Sequence, residues 1–222
     1  MDKTSTKISL KYVYLSEILN DMVNSLQQNN IISKKTLKKN LRGLFTDWIK
    51  STFEVKKNPA MNEFLRDPEK CLREELTGFS KTIFITNGFQ YLGFLTIRIL
   101  ALDISNIDLH NKKPLLMSGK SPKDISHIPC YFIEQVGKNI KVENNNLHGE
   151  EIVDTALEII ESVNDIIGST LVILYAVDVD KVKEIYSHSG FKPFGERKGN
   201  LEDDVFYQPM YVKLPSGLEA LK

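Results

Sequence analysis

The chain has 222 residues, of which 41% are hydrophobic and 26% are charged, as in an ordinary globular protein with one sizeable core. Lysine plus arginine and aspartate plus glutamate both number 29, so the formal net charge is zero and no global field attracts nucleic acid or a membrane. Only local patches can recruit a polyanion. We therefore expect one compact domain with an N-terminal extension.

The two cysteines, Cys71 and Cys130, have no CxxC or histidine spacing around them, which predicts buried free thiols and no metal site. The first eleven residues are polar and lack the apolar stretch of a signal peptide. The longest apolar run, from Phe89 to Leu102, is interrupted by polar residues and is too short to span a bilayer. These features predict a cytoplasmic protein without membrane contact, and both a monomer and a homodimer stay open.

Two helices are predicted at the start of the chain. From Leu15 to Leu26 the apolar residues recur at intervals of three and four, with Ser16 as the cap. A second helix begins at Ser33 and carries an apolar stripe that ends at Trp48. Its first turns also carry the densest basic patch of the chain, formed by Lys34, Lys35, Lys38, Lys39 and Arg42. This patch either contacts nucleic acid or another polyanion, or is the solvated face of a docked helix.

Two more helices are predicted where a capping side chain precedes a proline. Asn58-Pro59 begins the first of them, and Asp67-Pro68 begins the second, which ends at Gly78. Helices therefore dominate the chain before residue 79.

Strands follow. Residues 80–86 and 89–100 are rich in β-branched and aromatic residues and are joined by Asn87-Gly88, which predicts a hairpin of two antiparallel strands. The connection 103–128 contains proline, glycine and four lysines and is longer than most loops of compact domains. It is either a substrate-facing flap or an inert or disordered surface loop.

A third strand is predicted from Ile128 to Val136, with Glu134 as its unusual residue. A buried, unpaired carboxylate is costly, so Glu134 faces either a cleft or the solvent at the end of the strand. The polar segment 140–148 is rich in asparagine, which favours turns. The next helix has its apolar residues from Ile152 to Ile167 and ends at Gly168.

The last third of the chain predicts a strand, a helix and a strand. Residues 171–175 form a continuous apolar run, typical of a central strand. Asp178 or Asp180 then caps a helix that ends at Gly190. The final strand runs from Val205 to Lys213, after an acidic turn. The order of elements predicts an α/β (α+β) protein with a mixed sheet and helices packed on it.

The start of the helix near residue 149 is a candidate anion site. A helix N-terminus leaves amide donors unpaired and carries the positive end of the dipole. A diphosphate placed over His148, Gly149 and Glu150 would therefore meet N–H groups. Neither His148 nor His188 has a partner at metal-ligand spacing, so we expect both to be loop or surface histidines.

The segment Tyr186-Ser187-His188-Ser189-Gly190-Phe191, after the strand 171–175, resembles the Phe-Tyr-x-x-x-Gly-Phe ending of the GNAT acyltransferases. Residues 81–100 are similar to the second and third strands of that family, and 129–139 to its fourth strand. Residues 53–65 resemble the entry of the branch that includes toxin acetyltransferases. The resemblance covers about residues 50 to 214. It implies a helical N-terminal extension, 1–50, and a GNAT-like domain, 51–222, with a mixed, mostly antiparallel sheet between helices on both faces.

The pyrophosphate loop of the family departs from its usual pattern in this chain. Family members read Arg/Gln-x-x-Gly-x-Gly/Ala, and alignment on the final glycine places Asn144, Leu147 and Gly149 at the three marked positions. Because a Cβ can block the close approach of backbone to phosphate, we expect weaker or altered coenzyme A binding.

The resemblance implies an acyl-CoA-dependent N-acetyltransferase in which an unidentified amine attacks acetyl-CoA directly. Tyr186 would protonate the departing thiolate, and Glu134 would accept the proton of the amine. Backbone amides at the end of the third strand would polarise the thioester oxygen. The cofactor would thus be held by Val136, Gly137, Lys138, Asn144, Leu147, His148, Gly149 and Glu150.

Two alternatives stay open. A toxin-like acetyltransferase acting on aminoacyl-tRNA would draw its basic surface from the 34–42 helix and the 112–123 loop, although the neutral net charge does not support it. The degenerate loop favours a non-catalytic binding or interaction protein with the GNAT fold.

Overall fold

The computed structural model of the chain describes residues 10–28, 33–56, 58–116, 125–200 and 205–215. Its α-helices are α1 (Leu15–Gln27), α2 (Lys34–Thr52), α3 (Pro59–Arg66), α4 (Arg73–Thr77), α5 (Leu109–Lys112), α6 (Gly149–Ile167) and α7 (Asp180–His188). A π-helix spans Pro68–Leu72, and a 3-10 turn spans Lys113–Leu115. The strands are β1 (Lys11–Tyr14), β2 (Lys81–Thr86), β3 (Tyr91–Asp103), β4 (His127–Lys138), β5 (Leu171–Val177), β6 (Lys192–Pro193), β7 (Lys198–Asn200) and β8 (Val205–Lys213).

The strands of the described residues form one eight-stranded sheet in the order β1-β2-β3-β4-β5-β8-β6, with β7 also paired with β8. β1 is antiparallel to β2, and β8 is antiparallel to β5, β6 and β7. β4 and β5 are parallel, as expected for strands that a helix connects. The predicted mixed, mostly antiparallel sheet is therefore confirmed. The short strands β1, β6 and β7 were not predicted, because two to four residues carry little periodicity.

The chain divides into two compact units. The first unit is Met1–Thr96 with Gln135–His148, and the second is Ile97–Glu134 with Gly149–Lys222. The predicted boundary after residue 50 stays a prediction.

The core of the first unit is built by the N-terminal helices and the first strands. α1 and α2 bury one apolar stripe each, as their spacing predicted. The buried side chains of this cluster are Leu15, Ile18, Leu19, Met22, Leu41, Phe45, Ile49, Phe53, Val55, Phe64, Leu65, Cys71, Leu72, Phe84 and Phe94. Cys71 is a free, buried thiol, as predicted.

The helix caps of this unit are mostly as predicted. The Ser33 hydroxyl accepts from the backbone N–H of Thr36 at 3.2 Å, and the Asn58 and Asp67 side chains cap the helices that follow them. The prediction for Ser16 is wrong, because α1 begins at Leu15. The Glu17 carboxylate accepts there from the backbone N–H of Tyr14 at 3.0 Å.

The hairpin connection between β2 and β3 is longer than the two-residue turn that Asn87-Gly88 predicted. It spans four residues, because the Asn87 carboxamide oxygen accepts from the N–H groups of Phe89 and Gln90 at 3.0 and 2.9 Å. Phe89 is 96% exposed and belongs to the turn. Gly88 has φ of +92°, the left-handed conformation that glycine adopts without strain.

The core of the second unit includes much of the long connection after β3. The buried members of its apolar cluster are Leu102, Ile104, Leu115, Leu116, Ile128, Cys130, Phe132, Leu171, Ile173 and Phe194. The described part of the predicted flap is anchored in this core by Ile104, Leu115, Leu116 and Ile128. Lys112 is only 7% exposed, whereas Lys113 is exposed. Burial removes Lys112 from any basic surface. Lys120 and Lys123 lie outside the described residues.

Gly168, with φ of +79°, ends α6 as predicted. α7 begins after Val179, and its first turn has no side-chain cap, so the prediction of an aspartate cap is wrong. The Asp178 carboxylate instead pairs with Lys183 Nζ and Arg197 Nη1, both at 2.7 Å. Hydrogen bonding to Lys183 and the charge of Arg197 lower the pKa of Asp178.

No helix within the described ranges is long and apolar enough to cross a membrane. Among the same residues, no three or more histidine, cysteine, aspartate or glutamate side chains converge as a metal site would require.

Candidate active site

In the second unit, the parallel strands β4 and β5 stop pairing before either strand ends. Their ladder joins Tyr131, Phe132 and Ile133 to Val172, Ile173 and Leu174. Glu134 and Tyr175 are the first residues beyond it, while the other edge of β5 stays paired with β8 as far as Val177. Backbone groups that lose a neighbouring strand are left available for another partner. The carboxyl end of a parallel pair is also where ligands bind in open α/β sheets.

The carboxylate of Glu134 lies where the β4–β5 ladder ends. Its Oε1 lies 3.1 Å from Arg98 Nη2, and the two side chains are 22% and 23% exposed. The Arg98 guanidinium also lies 5.2 Å from the centre of the Phe132 ring, in a cation–π contact. Sequence reasoning left two environments open for Glu134, and the structure adds a partner that it did not name, because a cation from β3 compensates the charge. The sequence analysis did not predict Arg98 as the partner of Glu134, although an arginine inside an apolar strand indicates a buried or half-buried charge that needs a partner.

Tyr175 extends this cluster beyond Glu134. Its ring packs edge-on against Phe132 with 5.4 Å between centroids. Lys198 Nζ lies 5.0 Å from the Tyr175 ring centre and donates to its hydroxyl at 3.3 Å. Two aromatic rings thus lie between two cations at the end of the ladder. The sequence predicted Tyr175 as the end of its strand, but it did not predict the contact with Lys198, because the two residues are 23 positions apart.

Tyr186, the predicted acid, lies on α7 and is 9% exposed. Its ring centre is 6.1 Å from that of Phe191, which follows the turn at Gly190. Burial raises the pKa of Tyr186 to about 12. The hydroxyl therefore keeps its proton at neutral pH and can only donate or accept a hydrogen bond as the neutral phenol.

The first turn of α6 is the predicted anion site. Gly149 begins the helix and packs closely against α7, since a Cβ on Gly149 would lie 3.2 Å from Ile185 Cδ1. The first turn also carries two acidic residues, Glu150 and Glu151. These carboxylates compete with a phosphate for the positive end of the helix dipole.

Glu150 pairs with a histidine of α7. His188 Nδ1, at the end of α7, lies 2.8 Å from Glu150 Oε1. The hydrogen bond to Glu150, with the charge of that carboxylate, raises the pKa of His188. The Ser189 hydroxyl donates to Asp154 Oδ1 at 2.7 Å, a second polar link between α7 and α6. The start of α6 and the end of α7 are therefore held together by side chains at the surface.

In the first unit, the loop after β4 is organised by the fully buried Asn139. Its Nδ2 donates to the carbonyl groups of Thr52 and Tyr91 at 2.8 and 2.7 Å. Its Oδ1 accepts from the N–H groups of Glu54 and Lys141 at 3.1 and 3.0 Å. All four hydrogen-bonding positions of the carboxamide are thus used within the fold.

Asn145 continues this network. Its Nδ2 donates to the carbonyl groups of Leu92 and Asn139 at 2.7 and 2.8 Å, and its Oδ1 accepts from the N–H of Leu147 at 3.1 Å. Leu147 is 3% exposed, and the exposed Asn144 forms the turn with φ of +51°. Leu147 would have to release Asn145 before its amide could serve a phosphate. Neither Asn139 nor Asn145 was predicted, although both lie in or beside the asparagine-rich segment.

The end of β4 contains three predicted cofactor-binding residues. Val136 is half-buried, Gly137 is buried and Lys138 is exposed. A Cβ on Gly137 would lie 2.6 Å from Phe94 Cε1 and 2.9 Å from Met61 Sδ. Packing inside the first unit is thus sufficient to explain glycine at this position.

The sheet with its parting parallel strands has the GNAT-like fold, which confirms the family resemblance at the level of fold. No protein-family model and no curated protein sequence matches the chain. A crystal structure of a bacterial toxin is similar, with a TM-score of 0.57 and 15% identity over 78% of this chain and 87% of that one. AtaTR bound with AcCoA gives a TM-score of 0.49 and 14% identity over 90% of this chain and 92% of that one. AtaT complexed with acetyl-methionyl-tRNAfMet gives 0.47 and 17% identity over 71% and 85%. At these identities, the likeness extends to the fold alone.

Proposed function

We propose that the chain is an acyl-CoA-dependent N-acetyltransferase that transfers the acetyl group of acetyl-CoA to an amine. The observation that carries this proposal is the end of the β4–β5 ladder, where Glu134 and Tyr175 leave the parallel pair. An extended acyl donor can pair with the backbone groups freed there. The Tyr-x-x-x-Gly-Phe ending from Tyr186 to Phe191 supports the same class of reaction.

The amine nitrogen attacks the thioester carbon, so a C–N bond forms, the C–S bond breaks, and the amine loses the proton that the thiolate finally gains. Most of the acceleration then comes from holding the two reactants in contact. Glu134 is the candidate acceptor for the proton of the amine, directly or through a water. Arg98, 3.1 Å away, is a positioning residue for that carboxylate.

Tyr186 is the candidate donor to the departing sulfur. An ordinary thiol has a pKa of about 8.5, so a phenol whose pKa is about 12 does not readily give up its proton to a thiolate. We therefore assign Tyr186 a hydrogen bond that stabilises the developing thiolate, and the thiolate takes its proton from water after the C–S bond has broken. The amides of Val136 to Lys138 belong to the first unit, and their predicted role stands as a prediction.

The start of α6 is the candidate diphosphate site, through the amides of Gly149 and Glu150. The charges of Glu150 and Glu151 oppose a diphosphate, whereas protonation of His188 compensates Glu150. Affinity for acetyl-CoA should therefore be modest and should rise as pH falls through the raised pKa of His188. His188→Gln should remove this rise.

Calorimetric titration with acetyl-CoA, followed by an assay of thiol release with a panel of amines, tests the proposal. Tyr186→Phe should lower turnover about 100-fold with acetyl-CoA affinity retained. Tyr12→Phe, at an exposed ring of the first unit, is the matched control. Unchanged turnover in Tyr186→Phe would show that Tyr186 has no part in the mechanism. Absence of acetyl-CoA binding at millimolar concentration would contradict the proposal that the chain is an enzyme of this class.

The panel of acceptors should include aminoacyl-tRNA as well as free amines.

A non-catalytic protein with the same fold is the second candidate. It is favoured by the loop before α6, where Asn145 already engages the amide of Leu147. In that case the titration shows no heat with acetyl-CoA, and no amine supports thiol release.

A further inference from the structure

The first unit contains an apolar groove that the proposed acetyl transfer does not use. It lies between α2 and the helical segment that runs from Pro68 to Thr77, and we call it the α2–α4 groove. Its volume is about 370 Å³. The floor is formed by Leu41, Leu72 and Leu76, and the rim carries Lys38, Arg42 and Arg73.

The floor is accessible to a partner. Leu41 and Leu72 are buried in the core of the unit, whereas Leu76 is 61% exposed. Exposed leucines are common singly, but here one continues an apolar groove between two helical segments. This arrangement suits an apolar side chain that enters from outside.

Four lysines of α2 lie on and beside the rim of the groove. Lys34, Lys35, Lys38 and Lys39 are exposed. They form no ion pair with any carboxylate in the described part of the chain, in contrast to Arg42, which pairs with Glu69 at 2.7 Å. The first turn of α2 contains no acidic residue, so Lys34 and Lys35 lie at the positive end of its dipole. Cations at that end destabilise a helix. Residues that disfavour the local structure are expected at positions where the side chains are needed for binding.

The acidic residues of α4 do not neutralise this basic surface. Glu74 Oε2 accepts from the Ser80 hydroxyl at 2.8 Å. The buried Glu75 accepts from Lys81 Nζ at 2.7 Å and from the Thr82 N–H at 2.9 Å. Both carboxylates are thus engaged by the residues at the start of β2.

We infer that the α2–α4 groove is a docking site for an acidic, leucine-bearing helical segment of a partner protein. Leucines on one face of the segment fill the groove above Leu76, and carboxylates that flank this face meet Lys38, Arg73 and the neighbouring lysines. Nucleic acid fits less well, because the floor presents aliphatic side chains and no aromatic ring on which a base could stack.

The probe is a labelled peptide of about 15 residues with leucines at i, i+3, i+4 and i+7 and glutamates between them. Its controls are a scrambled peptide of the same composition and an RNA hairpin. We expect the amphipathic peptide to bind more tightly than both, with an affinity that falls but persists at high salt because leucine burial is not screened.

Two variants locate the site. Leu76→Asp and Arg73→Glu should each weaken peptide binding at least about tenfold. Leu109→Asp and Lys192→Glu, at exposed positions of the second unit, should leave it unchanged. Thermal melting verifies that the variants are folded, which the 61% exposure of Leu76 favours.

The inference is overturned if the scrambled peptide binds equally well, if Leu76→Asp leaves the affinity unaltered, or if only the RNA binds. It is independent of acetyl transfer, because the titration contains no acetyl-CoA.

Discussion

The loop after β4 and the start of α6 were each predicted from the sequence to bind the cofactor, and they are held in opposite ways. In the first unit, the loop after β4 is fixed by the carboxamides of the buried Asn139 and the half-buried Asn145, which bind backbone groups of distant segments. In the second unit, the start of α6 is fixed at the surface, by the pairs Glu150–His188 and Asp154–Ser189. The polar side chains of the loop after β4 stabilise the fold. The surface pairs at the start of α6 can open, so that their groups become available to a ligand.

This difference has an energetic reason. A buried donor or acceptor that loses its partner costs about 1–3 kcal/mol, whereas an exposed ion pair contributes little because water replaces it. Substitutions in the loop after β4 should therefore change stability, and those at α6 and α7 should change pH dependence and binding.

The largest effect is expected from Asn139→Ala in the first unit. It removes the side-chain partner of four backbone groups in part-buried hydrogen bonds, including the carbonyl of Tyr91. We expect a loss of about 4 kcal/mol in the free energy of unfolding, measured with urea. Asn146→Ala, at an exposed position of the same loop, should change it by less than about 0.5 kcal/mol. Equal stability of the two variants would contradict a loop that is fixed by its buried carboxamides.

The second-largest loss of stability is expected from Gly137→Ala. Its Cβ would lie 2.6 Å from Phe94 Cε1 and 3.0 Å from Val55 Cγ2, so we expect a loss of about 1–3 kcal/mol in the same measurement. Gly43→Ala is the matched control, since nothing lies within 4 Å of its Cβ in α2, and it should stabilise by about 0.5–1 kcal/mol. A neutral Gly137→Ala would mean that the end of β4 is free to rearrange.

In the second unit, the half-buried pair Arg98–Glu134 should show an intermediate effect. Arg98→Gln leaves Glu134 without this cation and should cost about 1–2 kcal/mol of unfolding free energy. The double variant Arg98→Gln/Glu134→Gln should lose less than the sum of the single variants, because each removes the same attraction. Strict additivity in this double-mutant cycle would show that the pair contributes nothing.

The smallest effect is expected at His188. Its pKa is raised in the folded state, so the stabilisation is fully present below the pKa of the unfolded chain and is lost as pH rises through the folded value. His188→Gln should therefore lower the melting temperature slightly at pH 5 to 6 and leave it unchanged at pH 9. His110→Gln is the control. A difference at pH 9 equal to that at pH 6 would contradict an electrostatic origin.

Much of the fold could be predicted from the sequence, because helix caps and hydrophobic periodicity depend on residues close together in the chain. Ser33, Asn58-Pro59 and Gly168 marked helix ends that the structure confirms. The periodicity of α6 and the apolar run of β5 gave their type and position. The prediction of Ser16 as a cap was wrong because Glu17 satisfies the same end of the helix from another position.

The candidate site was harder to predict from the sequence, because its residues come from different strands and make contact only in the folded sheet. Arg98 reaches Glu134 from a neighbouring strand, and Lys198 reaches Tyr175 from a later one. Neither pair has a sequence spacing that would reveal it. The cost of a buried charge narrowed the environment of Glu134 to a cleft or the solvent, but it did not identify Arg98 as the partner.

The sequence by itself determined the order and type of the long elements, the resemblance of the segment 186–191, and the departure of the loop at Leu147 from the family pattern. These follow from periodicity, capping and residue identity, which act over a few residues. Only the tertiary structure decided that Asn145 donates to the carbonyl of Leu92, that Arg98 holds Glu134, and that Tyr186 is buried with a raised pKa. The reason is that hydrogen bonds between strands, and the loss of water around a side chain, depend on chain segments far apart in sequence.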